Sequence, residues 1–160
     1  MRKLVLLLIA AISLAGCKKN DPYNAQKQLE ADEQLIKAFI AEKNITNAQR
    51  HASGMYYVIT SPGAGNFQYT QSSGVQVKYK LRLLNGTEIE QPTDPVCLTL
   101  GRVIPGWQYG IPLIQKGGKI RLLIPSVYAY GPNPAGAIPA NSVLDFDIEV
   151  LDVSTQPCTN

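Results

Sequence analysis

From Val75 to Leu83 the chain alternates strictly. Val75, Val77, Tyr79, Leu81 and Leu83 are apolar, and Gln76, Lys78, Lys80 and Arg82 between them are polar. A period of two puts each set on its own face of an extended chain, so the stretch buries one face of a sheet and wets the other. The pattern returns later, where Leu144, Phe146, Ile148 and Val150 alternate with Asp145, Asp147 and Glu149. Two such strands constrain the fold to a sheet with one covered face.

The other elements fit around them. Met55 to Thr60 is rich in aromatic and β-branched residues and stops at Ser61-Pro62-Gly63, a strand followed by a turn. Asn85-Gly86 predicts a tight hairpin returning through Thr87-Glu88-Ile89. Val96 to Leu100 reads as a further short strand, and Lys119 to Ile124 as another, stopped by Pro125. Within Val103-Ile104-Pro105-Gly106-Trp107 the Pro-Gly pair breaks any strand before it. Ile111 and Ile114 continue one helical face beyond it; Pro112 and a cap at Gly117-Gly118 limit that helix to about two turns. Residues 131–139, with three prolines and two glycines, form a stiff loop. Upstream, Leu29, Leu35, Ile36, Phe39 and Ile40 recur at helical spacing, predicting a helix from Ala25 to Lys43, ended by Asn44, whose stripe packs on the domain's own flank. The class is α+β: a twisted antiparallel sheet around a short helix, preceded by an N-terminal helix. The domain is expected over residues 53–153, with a tail at 154–160.

The first sixteen residues are a separate matter. Arg2 and Lys3 precede the apolar run Leu4 to Ala11, too short to span a bilayer as a mature helix. The run ends in Leu14-Ala15-Gly16-Cys17, which resembles a bacterial lipobox: residues 1–16 a lipoprotein signal peptide, Cys17 the lipidated residue, and residues 17–52 the tether and amphipathic helix. The resemblance implies a cell-envelope protein anchored in a membrane through acyl chains, at the outer membrane facing the periplasm or the surface. Removing the leader takes away two basic residues and lowers the formal charge from +3 to +1. With no basic stripe left, nucleic-acid binding has nothing to rest on. Cys97 and Cys158 remain in an oxidising compartment, which suggests one disulfide. Its geometry is not readable from sequence, so pairing and separate thiols both stay open.

Most reaction chemistries lack their parts. His51 is the sole histidine and precedes the domain, so His-based triads and histidine metal sites are missing members. No glycine-rich loop has phosphate-binding spacing, and Glu90 and Asp94 read as solvated loop acids. No cofactor and no metal is expected. What remains is aromatic and apolar. Tyr79, Val103, Ile104, Trp107, Tyr130, Ile138 and Phe146 come from separate segments that the order of elements brings to one end of the sheet. Tyrosines with hydroxyls to satisfy and a lone tryptophan after a turn fit an apolar pocket with a few polar handles.

In order, Val77-Lys78-Tyr79, Asn85-Gly86-Thr87, Leu100-Gly101 with Val103-Ile104-Pro105-Gly106-Trp107, Gly117-Gly118-Lys119, Tyr128-Ala129-Tyr130-Gly131 and Ile138-Pro139 leading to Phe146-Asp147 resemble an FKBP-type peptidyl-prolyl isomerase domain from about Gly54 to Val153. The resemblance implies a prolyl pocket. Trp107 is its floor, Tyr79, Val103, Ile104 and Phe146 its walls, and Ile138 its rim. The Ile104 N–H and the Tyr130 hydroxyl bind carbonyls flanking the proline. Ile89 stands where the family's hairpin has an aromatic, Glu90 where it has an aspartate, and Val96 where it has another aromatic. The walls are therefore less aromatic, and macrolide ligands are expected to bind weakly. The implied activity is non-covalent rotation of X–Pro bonds in exported polypeptides. The alternative is a chaperone or adaptor that holds proline-containing segments with little turnover.

Overall fold

A computed structural model describes residues 22–159; the leader and Cys17 lie outside the described residues. The first element, α1 (Ala25–Glu42), starts where the Asn24 side chain accepts the Lys27 N–H and ends before Asn44, whose φ of +52° turns the chain out of the helix. Then come β1 (Gln49–Arg50), β2 (Tyr56–Ser61), β3 (Gly74–Leu83), β4 (Glu88–Glu90), β5 (Val96–Thr99), α2 (Pro105–Gly110), β6 (Lys119–Ile124) and β7 (Leu144–Ser154). All pairings are antiparallel, in the order β1-β2-β6-β7-β3-β4, with β5 also pairing with β3. The two alternating stretches of the sequence, β3 and β7, lie side by side at the centre, Tyr79 opposite Ile148 and Leu81 opposite Phe146.

The inner face of the sheet holds the main core: Val75, Val77, Leu81, Ile120, Leu122, Phe146, Ile148 and Val150 close around Trp107, Ile111 and Ile114 of the α2 segment. That helix lies close to the sheet because two glycines face it. A Cβ on Gly110 would stand 2.5 Å from Leu122 Cδ1, and one on Gly106 would collide with Ile124. The helix continues as a 3-10 turn, Ile111–Leu113, and stops there. Gly117-Gly118 therefore does not cap it. With φ of +77° at Gly117 the pair makes the turn into β6, where Gly117 and Gly118 exchange hydrogen bonds with Val150.

The outer face carries a second, smaller core in which Ile36 and Phe39 of α1 pack on Tyr56, Leu123 and Val143. The helix thus lies on the domain's own flank. Leu35, expected in the buried stripe, is 55% exposed, while Asp32 on the packed side is fully buried. Glu33 fastens the same helix to the sheet: its carboxylate takes two hydrogen bonds from Arg50, at 2.8 and 3.0 Å, and lies 3.0 Å from Lys37 Nζ. Asp145, expected on the wet face of β7, is only 2% exposed. Arg121 donates to both its oxygens at 2.8 Å and Arg82 adds a third bond at 3.1 Å. The pairing of β7 with both β3 and β6 sets the two guanidiniums beside it, and they satisfy a carboxylate that burial alone would penalise. Cys97 of β5 is joined to Cys158 by a disulfide, Cα–Cα 5.7 Å, which ties the tail to the edge of the sheet. No helix among the described residues is long and apolar enough to cross a membrane.

Candidate active site

Where α2 begins, the chain is preset by Ile104, whose φ of −55° and ψ of 147° are extended, and by Pro105, which occupies the first helical turn without needing a hydrogen bond. Gln108 reaches back to donate to the Val103 carbonyl at 2.8 Å, fixing the corner between the 3-10 turn Leu100–Arg102 and α2. The corner sets the Trp107 ring against Tyr79 in the middle of β3 and Phe146 near the start of β7. It meets Tyr79 edge-on (centroids 5.2 Å apart, interplanar angle 86°) and Phe146 likewise (5.2 Å, 83°), and Tyr79 and Phe146 lie 6.1 Å apart. Edge-to-face packing suits the positive rim and negative face of each ring. The three aromatics form one rigid corner, with Trp107 only 3% exposed at its base.

Above that base opens a cavity of about 280 Å³ lined by Tyr79, Leu81, Glu90, Leu98, Arg102, Val103, Ile104, Trp107, Tyr130 and Phe146. Tyr130, at 41% exposure, stands at the mouth. Trp107 Nε1 is buried without a hydrogen-bond partner among the described residues. Among the described residues no backbone group accepts from the Ile104 N–H, whose own carbonyl takes the Trp107 N–H at 3.0 Å. Burial, then the neighbouring Glu90 carboxylate and Tyr130, push the Tyr79 hydroxyl well above its ordinary range, so it is a neutral donor at any working pH.

Of the nine residues singled out from sequence, Tyr79, Glu90, Val103, Ile104, Trp107, Tyr130 and Phe146 meet around this cavity; Ile89 and Ile138 do not. Ile89, next to Glu90 on β4, is not in the cavity lining and packs half-buried against the main core. Ile138 is paired with Ala135 in an isolated bridge, N–H to carbonyl at 2.9 Å in both directions, and its side chain is buried in that core. Leu81, Leu98 and Arg102 line the cavity without having been foreseen. Leu81 was signalled by the alternation it shares with Tyr79, whereas nothing local marks Arg102.

A second hollow, of about 510 Å³, lies on the opposite side of β3 among Lys78, Lys80, Lys119 and Arg121. Exposed ion pairs of Lys80 with Glu88 and of Lys119 with Glu149 take up part of its charge, so it has the character of a solvated sheet face.

The family model for FKBP-type peptidyl-prolyl cis-trans isomerases matches residues 65–151. The FKBP-type isomerase FkpA of Buchnera aphidicola subsp. Schizaphis graminum is 42% identical over 121 residues, 74% of this chain and 47% of that protein. FkpA of Escherichia coli K12 is 35% identical over 145 residues, 84% of this chain and 52% of that one. The chain thus spans about half the length of these relatives. The crystal structure of Escherichia coli FkpA superimposes with a TM-score of 0.68 at 35% identity, over 82% of this chain and 65% of that one. A peptidyl-prolyl cis-trans isomerase from Pseudomonas syringae pv. tomato gives 0.67 at 31% identity, over 84% and 98%. An aromatic corner under an open cavity, and a family match that takes in β3, α2 and most of β7, the elements that build it, lead to one conclusion: the chain belongs to the FKBP-type peptidyl-prolyl cis-trans isomerase family.

Proposed function

We propose that this protein is a peptidyl-prolyl cis-trans isomerase that rotates X–Pro bonds of exported polypeptides, held in the cell envelope by acyl chains on Cys17. The observation that carries the activity is the cavity set on Trp107, Tyr79 and Phe146, with Tyr130 at its mouth. An X–Pro bond resists rotation because amide resonance gives it double-bond character, with a barrier of roughly 18–20 kcal/mol. At the twisted transition state that resonance is lost and the carbonyl is less polarised. A dry apolar cavity favours this state over the planar one, and a shape fitted to the twisted amide adds differential binding. Lowering the barrier by about 5–6 kcal/mol accelerates exchange on the order of ten-thousand-fold. The proline ring seats on Trp107, and the Tyr130 hydroxyl and Ile104 N–H hold the flanking carbonyls. No nucleophile or general base takes part.

A protease-coupled assay on a proline tetrapeptide, with the protein lacking residues 1–17, tests this. Wild type is expected well above the uncatalysed rate, Trp107→Ala near background, and Tyr130→Phe about tenfold down in kcat/KM, the size of one lost substrate hydrogen bond. Wild-type activity at background overturns the enzymatic reading. In the full chain, incorporation of labelled palmitate that disappears in Cys17→Ser tests the anchor.

One observation favours a second reading, a chaperone or adaptor holding proline-containing segments with little turnover. Glu90 and Arg102 put charge into the cavity wall, and Ile89 is not part of its lining. Suppression of aggregation that survives Trp107→Ala, beside negligible isomerase activity, supports it. The same less aromatic wall argues for weak binding of macrolides.

A further inference from the structure

Asp32 of α1 is fully buried, yet every hydrogen bond it receives among the described residues comes from a neutral group. Its Oδ2 accepts the Ser126 backbone N–H at 2.7 Å and the Ser126 hydroxyl at 2.6 Å, and its Oδ1 accepts the Gln28 side-chain amide at 2.7 Å. Burying a carboxylate this way is costly compared with an apolar residue at the same helical position. What it secures is a single register between α1 and Ser126. Ser126 in turn organises the segment that follows β6. It opens the 3-10 turn Ser126–Tyr128, and its carbonyl accepts both the Ala129 N–H at 2.9 Å and the Gly131 N–H at 2.8 Å. Tyr130 sits between those two donors. Gly131 is pinned from the far side by Asn141, whose N–H donates to its carbonyl at 2.7 Å. The path from the helix to the mouth of the cavity thus runs from Asp32 to Ser126, and from Ser126 to Ala129 and Gly131, the two neighbours that flank Tyr130.

We propose that Asp32 is a positioning residue of the isomerase site, which makes α1 part of the apparatus that sets the Tyr130 hydroxyl over the cavity. The proposal rests on the reading of Tyr130 as a carbonyl-binding group. Glu33, the next residue along, fastens the helix elsewhere, through Arg50 and the Tyr56 hydroxyl, and so separates docking of the helix from placement of Tyr130.

The test is a double-mutant cycle read as kcat/KM in the proline tetrapeptide assay. It compares wild type, Asp32→Asn, Tyr130→Phe and the double variant, with Glu33→Gln as the docking control and Trp107 fluorescence as the check that each variant is folded. Asp32→Asn is expected to lose about fivefold, as when one substrate hydrogen bond is misplaced. The double variant is expected to fall no further than Tyr130→Phe alone, and Glu33→Gln is expected to keep wild-type kcat/KM even where its melting temperature drops. Equal fold-losses from Asp32→Asn in the wild-type and Tyr130→Phe backgrounds overturn the proposal, as does full activity in folded Asp32→Asn. If Asp32→Asn does not fold, Ser126→Ala, which removes only the hydroxyl donor, takes its place in the same cycle, where equal fold-losses or full activity again overturn the proposal. Full activity in Tyr130→Phe alone overturns the handle reading and the proposal together; loss there with additive losses elsewhere overturns the proposal only.

Discussion

Tyr79 illustrates how one side chain serves packing and chemistry together. Its ring closes the aromatic corner with Trp107 and Phe146, and its hydroxyl lies beside Glu90 in a half-buried setting that raises its pKa. An acid with a raised pKa keeps its proton as the solution grows alkaline, so the hydroxyl remains neutral past the value of about 10 at which a free tyrosine ionises. Tyr79 is therefore expected to impose no decline on the isomerase rate between pH 7 and pH 10. A decline below pH 10 that vanishes in Tyr79→Phe contradicts this. Single residues also show where sequence reading stops. Trp107 was legible because a lone tryptophan after Pro-Gly sits inside an ordered set of motifs. The burial of Asp145 was not, because it depends on Arg82 and Arg121, brought from two other strands by register. Asp32 escaped notice for the same reason: Ser126 reaches it only through folding.

Among elements, α1 is the one whose attachment can be titrated. Arg50 above all, then Lys37, holds the Glu33 carboxyl down to about 2, against some desolvation that works the other way. A depressed carboxylate pKa adds stability that is fully present above the unfolded-state value near 4.5 and is lost as pH falls toward the folded value near 2. Wild type should therefore exceed Glu33→Gln in urea midpoint at pH 6 to 7, and the gap should close between about pH 4.5 and about pH 2. A gap independent of pH over that range argues that the ion pair adds nothing. Strand and helix boundaries were readable wherever period and punctuation agreed, as in β3, β6 and α1. The inner and outer faces of β2 were not, because Tyr56 and Tyr57 look alike in sequence. Only the arrival of α1 on one side distinguishes them.

At the scale of the whole molecule the Cys97–Cys158 bond closes a loop of 61 residues that contains β6, α2 and β7. Cross-linking a loop of that length removes entropy from the unfolded chain worth about 4 kcal/mol in the chain-entropy account. Cys97→Ser with Cys158→Ser, or reduction of the wild type, is expected to lower unfolding free energy by up to about that amount. The isomerase rate should be retained, because the bond lies at the edge of the sheet and outside the cavity lining. Urea titration with and without reductant checks it; no change in midpoint means the native state gains nothing from the bond.

The sheet order has a consequence for how the chain comes into being. Its central strand, β7, joins β6 on one side and β3 on the other, and β3 meets it only after Val77 finds Val150 and Leu83 finds Leu144. Until residue 154 has left the ribosome, the two halves of the sheet have nothing to connect them. The domain therefore assembles late and all at once instead of piece by piece. Pairings this remote along the chain place it among slow folders. A polypeptide whose sheet closes only when that one strand is available stays threadable until then.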